Sequence, residues 1–139
     1  MNRLGNSGRL FCAGDNYQHG WIFVKRLWQA AINTWHGLIA VTQSEEAFRQ
    51  ELVLLVVGIP LAFYLTDDVG KRFALIGVIV FIMIVELLNT AIEKLSDRVT
   101  SKNDPAIKRV KDMGSAAVGL SLLTGGAVWL WVAVDWYWP

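Results

Sequence analysis

Glu86, Asn89, Glu93 and Asp97 fall at i, i+3, i+7 and i+11 in and just beyond an apolar stretch that runs from Phe73 to Leu95. At about 100° per residue these four positions share an arc of about 80°, one face of a helix. A polar face in a segment apolar enough to enter lipid is costly to keep, and so marks a functional site. Three carboxylates converging near a bilayer surface point to chemistry with a hard cation, which takes oxygen ligands. Glu86 lies seven residues, about 10 Å, deeper than Glu93. A carboxyl at that depth is suited to take a proton from an alcohol presented by a lipid. Glu93, nearer the phosphates, is the better metal ligand, and Asn89 could orient either one. The competing use of such a face is hydrogen bonding between helices, for which Asn89 and Thr90 are common residues.

The segment from Ser96 to Asp112 brings Arg98, Lys102, Lys108, Arg109 and Lys111 beside the acidic face. Carboxylates and cations side by side have the composition needed for a magnesium-bound polyphosphate: the acids take the metal and the bases take phosphate oxygens. The same cations could instead serve only to fix membrane orientation. Elsewhere the charged residues say less. Thr42-Gln43-Ser44-Glu45 fits a capping box with Glu45 reaching back to the cap amide. His19 and His36 have no spaced partner ligands. Asp67 and Asp68 sit in a turn that they are expected only to solvate.

The chain that must position these groups has 139 residues, of which 54% are hydrophobic and seven are tryptophan. That is too apolar for an ordinary soluble domain of this length. A net charge of +1 gives no general attraction to nucleic acid, and the single Cys12 excludes an intrachain disulfide. Residues 1–20 contain no apolar core of a cleaved signal and read as a flexible cytosolic tail. Residues 21–139 read as a single membrane domain. Trp21, Val24, Trp28, Ile32, Trp35 and Ile39 recur every three or four residues, which predicts an amphipathic helix over 21–42 lying in the headgroup layer. Three spans are predicted at about 45–66, 71–98 and 105–135. The apolar part of the first, Leu52 to Leu65, is only about 21 Å long, so it spans only if Arg49, Gln50 and Glu51 are at an interface or shielded by protein. Asp104-Pro105 predicts the cap and first turn of the last span. Ala117, Ser121 and Gly125 give that span a stripe of small residues for close packing. The basic residues place the amino terminus and the Ser96–Asp112 segment in the cytosol.

The block Glu86-Leu-Leu-Asn-Thr-Ala-Ile-Glu93-Lys-Leu-Ser-Asp97 resembles the signature of the prokaryotic diacylglycerol kinases, small trimeric membrane enzymes. Glu45-Glu-Ala-Phe-Arg-Gln-Glu51 and Lys111-Asp-Met-Gly-Ser-Ala-Ala-Val118 extend the likeness, which covers roughly Arg26 to the end. The resemblance implies an all-α membrane protein, an interfacial helix followed by three spans, that assembles as a homotrimer in the bacterial inner membrane. It implies transfer of the γ-phosphate of magnesium ATP to diacylglycerol, giving phosphatidate, at sites shared between subunits. Glu86 then matches the general base with Asn89 beside it, and Glu45 and Glu93 match the magnesium ligands. Arg26, Lys111 and Asp112 match nucleotide contacts, with Asp97 placed among them and Lys102 a candidate on charge alone. Ala30, Ala31, Trp35, Ala47, Phe48, Arg49, Gln50, Glu51, Leu65, Arg72 and Ser115, with Glu86, match positions lining the lipid groove.

The chain departs from the best-known members near the nucleotide, with Gln29, Asn33 and Lys102-Asn103-Asp104 in place of other residues. Three other readings compete with a diacylglycerol kinase. A sister enzyme of the same fold phosphorylates undecaprenol, but the block from Lys111 to Val118 is more similar to the diacylglycerol branch. Intramembrane carboxylates also mark proton or ion conduits. A structural subunit would use the polar face only to bind partner helices.

Overall fold

The computed structural model describes residues 15–99 and 104–138, with side chains from residue 21 onward. Lys102, Asn103 and residues 1–14 of the expected tail lie outside the described residues. The chain divides into two units, Met1–Ala40 and Val41–Pro139.

The first unit contains most of α1 (Asp15–Ser44), which begins six residues before the expected start and continues two beyond the expected end. Its tryptophans Trp21, Trp28 and Trp35 are each more than 60% exposed. Within the helix Gln29 Nε2 donates to Asn33 Oδ1 at 3.1 Å, one turn on.

The second unit holds α2 (Glu46–Leu65), α3 (Val69–Val99) and α4 (Pro105–Tyr137), each long and apolar enough to cross a membrane. Many of their large apolar side chains are exposed, among them Val53, Val56, Phe73, Ile84, Leu120 and Leu123. That outward apolar surface suits lipid, which replaces water as the medium for the unit. Packing is carried mainly by α3, which lies against both α2 and α4 while those two barely meet. Its buried residues Leu75, Val78, Ile79, Ile82, Glu86, Asn89 and Thr90 form one seam at three- and four-residue spacing. The acidic face is therefore the continuation of the packing seam.

Glycines let the helices approach along this seam. A Cβ on Gly58 of α2 would stand 2.5 Å from the Ile79 side chain, and one on Gly125 of α4 would stand 2.7 Å from that of Ile82. Of the expected small-residue stripe, Ser121 and Gly125 are buried, whereas Ala117 is exposed. Gly114, seven residues before Ser121, takes the buried place instead.

The two ends of the unit are fixed differently. At one end Asp68 Oδ1 accepts from the Lys71 amide at 2.7 Å and caps α3, while Asp67 pairs with Arg72 at 2.7 Å. These two aspartates were expected only to solvate the turn, but they cap a helix and hold a cation because α3 starts at Val69, within their reach. Lys71 pairs with Asp135 near the end of α4, and Tyr64 and Trp136 meet with tilted rings, centroids 5.9 Å apart. At the other end Asp104 Oδ1 accepts from the amides of Ala106 at 2.7 Å and Ile107 at 3.4 Å, with Pro105 at the first helical position as expected.

Candidate functional site

Glu86 stands on the inward face of α3 and is 9% exposed, one turn beyond the apolar packing of Ile82. Asn89, 8% exposed, follows on the same face, and its Nδ2 donates to Glu93 Oε1 at 3.2 Å. The i, i+4 spacing of Asn89 and Glu93 is what allows that bond on a helix. Gly114 faces the Asn89 carboxamide from α4, so close that a Cβ there would collide with Oδ1. The Asn89 Oδ1 atom is buried and has no hydrogen-bond partner.

Glu45 enters from the start of α2. The expected capping box does not form, because α1 runs through Ser44 and leaves Thr42 inside a helix rather than at a cap. Glu45 itself takes the N-cap position of α2 with extended backbone and makes no side-chain cap bond. Its carboxylate is directed to α3 instead, where Lys94 Nζ lies 2.9 Å from Oε1. Ser44 Oγ donates to the same oxygen at 3.0 Å. These contacts, that from Lys94 foremost, hold the Glu45 carboxyl below its ordinary value of 4.5.

Glu51 answers the question of how the short apolar part of α2 can span. Its side chain is 8% exposed and so shielded by protein, although Oε2 has no hydrogen-bond partner. Arg49 is exposed and folds back on the carbonyls of Thr42 and Gln43 at 3.4 and 3.5 Å. Phe48 is buried, whereas Ala47 and Gln50 are exposed.

The cations and acids expected at the nucleotide meet in pairs. Lys111 Nζ donates to Asp97 Oδ1 at 2.5 Å, linking the last turn of α3 to the early turns of α4, where the nucleotide is expected. Asp112 pairs with Lys108 at 2.6 Å, one turn away. Ser115 is exposed near them on α4. Arg26, Ala30, Ala31 and Trp35 are exposed on α1, in the first unit. Leu65 and Arg72 lie at the opposite end of the second unit: Leu65 packs on the cluster of Ala62, Leu75 and Val132, and Arg72 is some 21 Å along α3 from Glu86.

The expected convergence of three carboxylates does not occur. Among the described residues no group of three or more His, Cys, Asp or Glu side chains is gathered to hold a metal ion. The reason is the rise of the helix, about 6 Å from Glu93 to Asp97, together with the partner Asp97 finds in Lys111. Two carboxylates remain as candidate oxygen donors: Glu93, held by Asn89 on α3, and Glu45 at the start of α2, whose pair with the neighbouring Lys94 brings it to the same end of α3. That set fits magnesium, which is commonly held by one or two protein carboxylates together with substrate phosphates and water.

Two contributors were not legible as functional from the sequence. The pairing of Lys94 has no local signal, because its partner lies 49 residues away in the chain. Gly114 could have been found by extending the small-residue pattern of Ser121 back by seven residues, two turns of helix.

Residues 32–133 match the family model of prokaryotic diacylglycerol kinase. The diacylglycerol kinase of Pseudomonas aeruginosa is 45% identical over 103 residues, which cover 73% of this chain and 84% of the relative. That of Escherichia coli is 40% identical over 104 residues, 75% of this chain and 85% of the relative. That of Helicobacter pylori is 35% identical over 105 residues, 76% and 82%. The matched region contains Glu45, Glu86, Asn89, Glu93 and Lys111, so this chain is an enzyme of the prokaryotic diacylglycerol kinase family.

Proposed function

We propose that the protein is an ATP-dependent lipid kinase that transfers the γ-phosphate of magnesium ATP to 1,2-diacylglycerol, giving phosphatidate. The observation that carries this reading is the placement of Glu86: a carboxylate buried in a span, one helical turn from the Asn89–Glu93 bond and on the way to the paired cations at the helix ends.

In this reading Glu86 accepts the proton of the lipid hydroxyl as that oxygen forms its bond to the γ-phosphorus. The bond from the γ-phosphorus to the bridging oxygen breaks, and ADP leaves with the electron pair. The bond that Asn89 donates fixes the Glu93 side chain on the same face as Glu86. Glu45 and Glu93 would hold magnesium, which neutralises phosphate charge when it is bound with ATP. Lys111, with Asp97 and Asp112 around it, supplies a cation for the nucleotide, and Arg26 and Lys102 belong to the same proposed contact set. In the second unit the proposed lipid contacts are residues 47–51, Leu65, Arg72 and Ser115; Ala30, Ala31 and Trp35 of α1 are proposed as lipid contacts in their own right.

We also propose a homotrimer with shared sites in the bacterial inner membrane, with α1 interfacial and the amino terminus cytosolic. The orientation is supported by the charge at the two ends of the spans. Lys71 and Arg72 are the basic residues at one end, whereas Arg98, Lys108, Arg109 and Lys111 cluster at the other.

The test is phosphate transfer by the purified protein in mixed micelles, with diacylglycerol and undecaprenol as separate acceptors, with and without magnesium. Magnesium-dependent phosphatidate formation supports the proposal. Preference for undecaprenol would move the substrate but keep the mechanism. Transfer to neither acceptor by folded protein would overturn it and leave a conduit or structural role.

A further inference from the structure

Lys94 directly follows Glu93 on α3, and its side chain crosses to the start of α2. Its Nζ donates to Ser44 Oγ at 2.8 Å and lies 2.9 Å from Glu45 Oε1. Ser44 Oγ in turn donates to that same Oε1 at 3.0 Å. One oxygen of Glu45 thus carries both an ammonium and a hydroxyl. With Oε1 engaged by both groups, Glu45 has Oε2 left for a metal ion, and the ammonium 2.9 Å from Oε1 repels a divalent cation there until it moves away.

The pair sits where such an exchange is easy. The Lys94 side chain is 56% exposed and that of Glu45 30% exposed, so water can take over the ammonium as it leaves. A pair this exposed is weakly held, and a divalent cation arriving with a polyphosphate competes well against it. The lysine stem is long and flexible, and its charge remains next to Glu93 after it lets go.

We propose that Lys94 is an exchangeable counter-ion for Glu45, displaced when the divalent cation arrives with the nucleotide, so that Lys94 sets the cation affinity of the site. This rests on the lipid-kinase reading, in which Glu45 is a metal ligand. Lys94 acts through Glu45 and is a positioning residue. A lysine that merely tied α2 to α3 would affect stability and leave cation affinity unchanged.

The experiment uses manganese, a spin-active stand-in for magnesium, titrated into the full-length protein in mixed micelles with a non-hydrolysable ATP analogue. Free manganese is read by electron paramagnetic resonance. The Lys94→Met variant should bind manganese about two- to five-fold more tightly than the unaltered protein, the range set by a surface ion pair. Lys94→Arg should bind as the unaltered protein does. In a Glu45→Gln background Lys94→Met should have no effect, as expected when the lysine acts through that carboxylate. Equal or weaker binding by Lys94→Met would overturn the exchange. So would the same gain in the Glu45→Gln background, since it would come from long-range charge alone. Phosphate transfer to diacylglycerol by the unaltered protein is measured in parallel. Its absence overturns the kinase reading, while the manganese titrations still decide the exchange.

Discussion

Gly114 of α4 faces Asn89 of α3 so closely that a single added methyl group would run into the Asn89 carboxamide oxygen. The obstacle is the end of a side chain, so Gly114→Ala moves Asn89 rather than the helices. The bond from Asn89 to Glu93 is then lost or bent. We expect phosphate transfer to fall by about tenfold or more, with overpacking costing about 1–3 kcal/mol of stability. Steady-state kinetics and thermal unfolding of the purified variant check both. Unchanged kinetics would show that the Asn89 orientation is irrelevant to the reaction.

Glu86→Gln keeps the volume and removes the base. Since Glu86 is packed on the inward face of α3, the amide fits the same space. Removing a general base costs about a hundred- to ten-thousandfold in rate. Transfer to diacylglycerol should fall by that factor while helicity and chromatographic behaviour stay the same. A variant that remains fully active would remove Glu86 from the mechanism.

How far these sites were legible in the sequence depends on the range of the interaction. Glu86, Asn89 and Glu93 are separated by three and four residues, so helical period alone placed them on one face, and the Asn89–Glu93 bond follows from that spacing. The cap at Asp104 is equally local. Contacts between elements were beyond reach: Lys94 meets Glu45 only because α3 packs on α2, and Lys71 meets Asp135 across 64 residues. The capping-box expectation at Thr42 failed because α1 did not stop where its stripe of tryptophans ended. The expected metal cluster failed for a different reason: sharing a face does not bring carboxylates together when the helix rise separates them and one of them, Asp97, turns to a cation.

Lys111 and Asp97 form a pair open to solvent, with side chains 36% and 68% exposed. Such a pair contributes little to stability. Lys111→Met should therefore leave unfolding almost unchanged and act on the nucleotide, raising KM for ATP more than KM for the lipid. Initial rates with each substrate varied in turn separate the two. A change confined to the lipid KM would place Lys111 in the lipid groove instead.

Gly125 lies against Ile82 and Val78, one and two turns of α3 to the apolar side of Glu86. Gly125→Val forces a branched side chain into a contact that has no room for one, and overpacking of this kind costs about 1–3 kcal/mol. The protein should unfold at lower temperature or lower denaturant concentration, while the activity of the folded fraction remains near normal. Loss of activity without loss of stability would connect this part of the seam to the chemistry.

The pairing of Glu45 with Lys94 sets a pH response whose sign follows from the direction of the shift. Lys94, and then Ser44, hold the Glu45 carboxyl below its ordinary value of 4.5. A group depressed on folding adds stability that is fully present above its unfolded value and is lost as pH falls through its folded value. The ion pair is therefore intact throughout the neutral range and fails only in acid. Removing Lys94 removes the largest cause, so Glu45 in the Lys94→Met variant should titrate at higher pH than in the unaltered protein. Carbon-13 chemical shifts of labelled glutamate, followed over about pH 3 to 6, give both midpoints. Glu45→Gln identifies the signal by its disappearance. A midpoint that does not rise in Lys94→Met would mean that the lysine does not hold the carboxylate in solution.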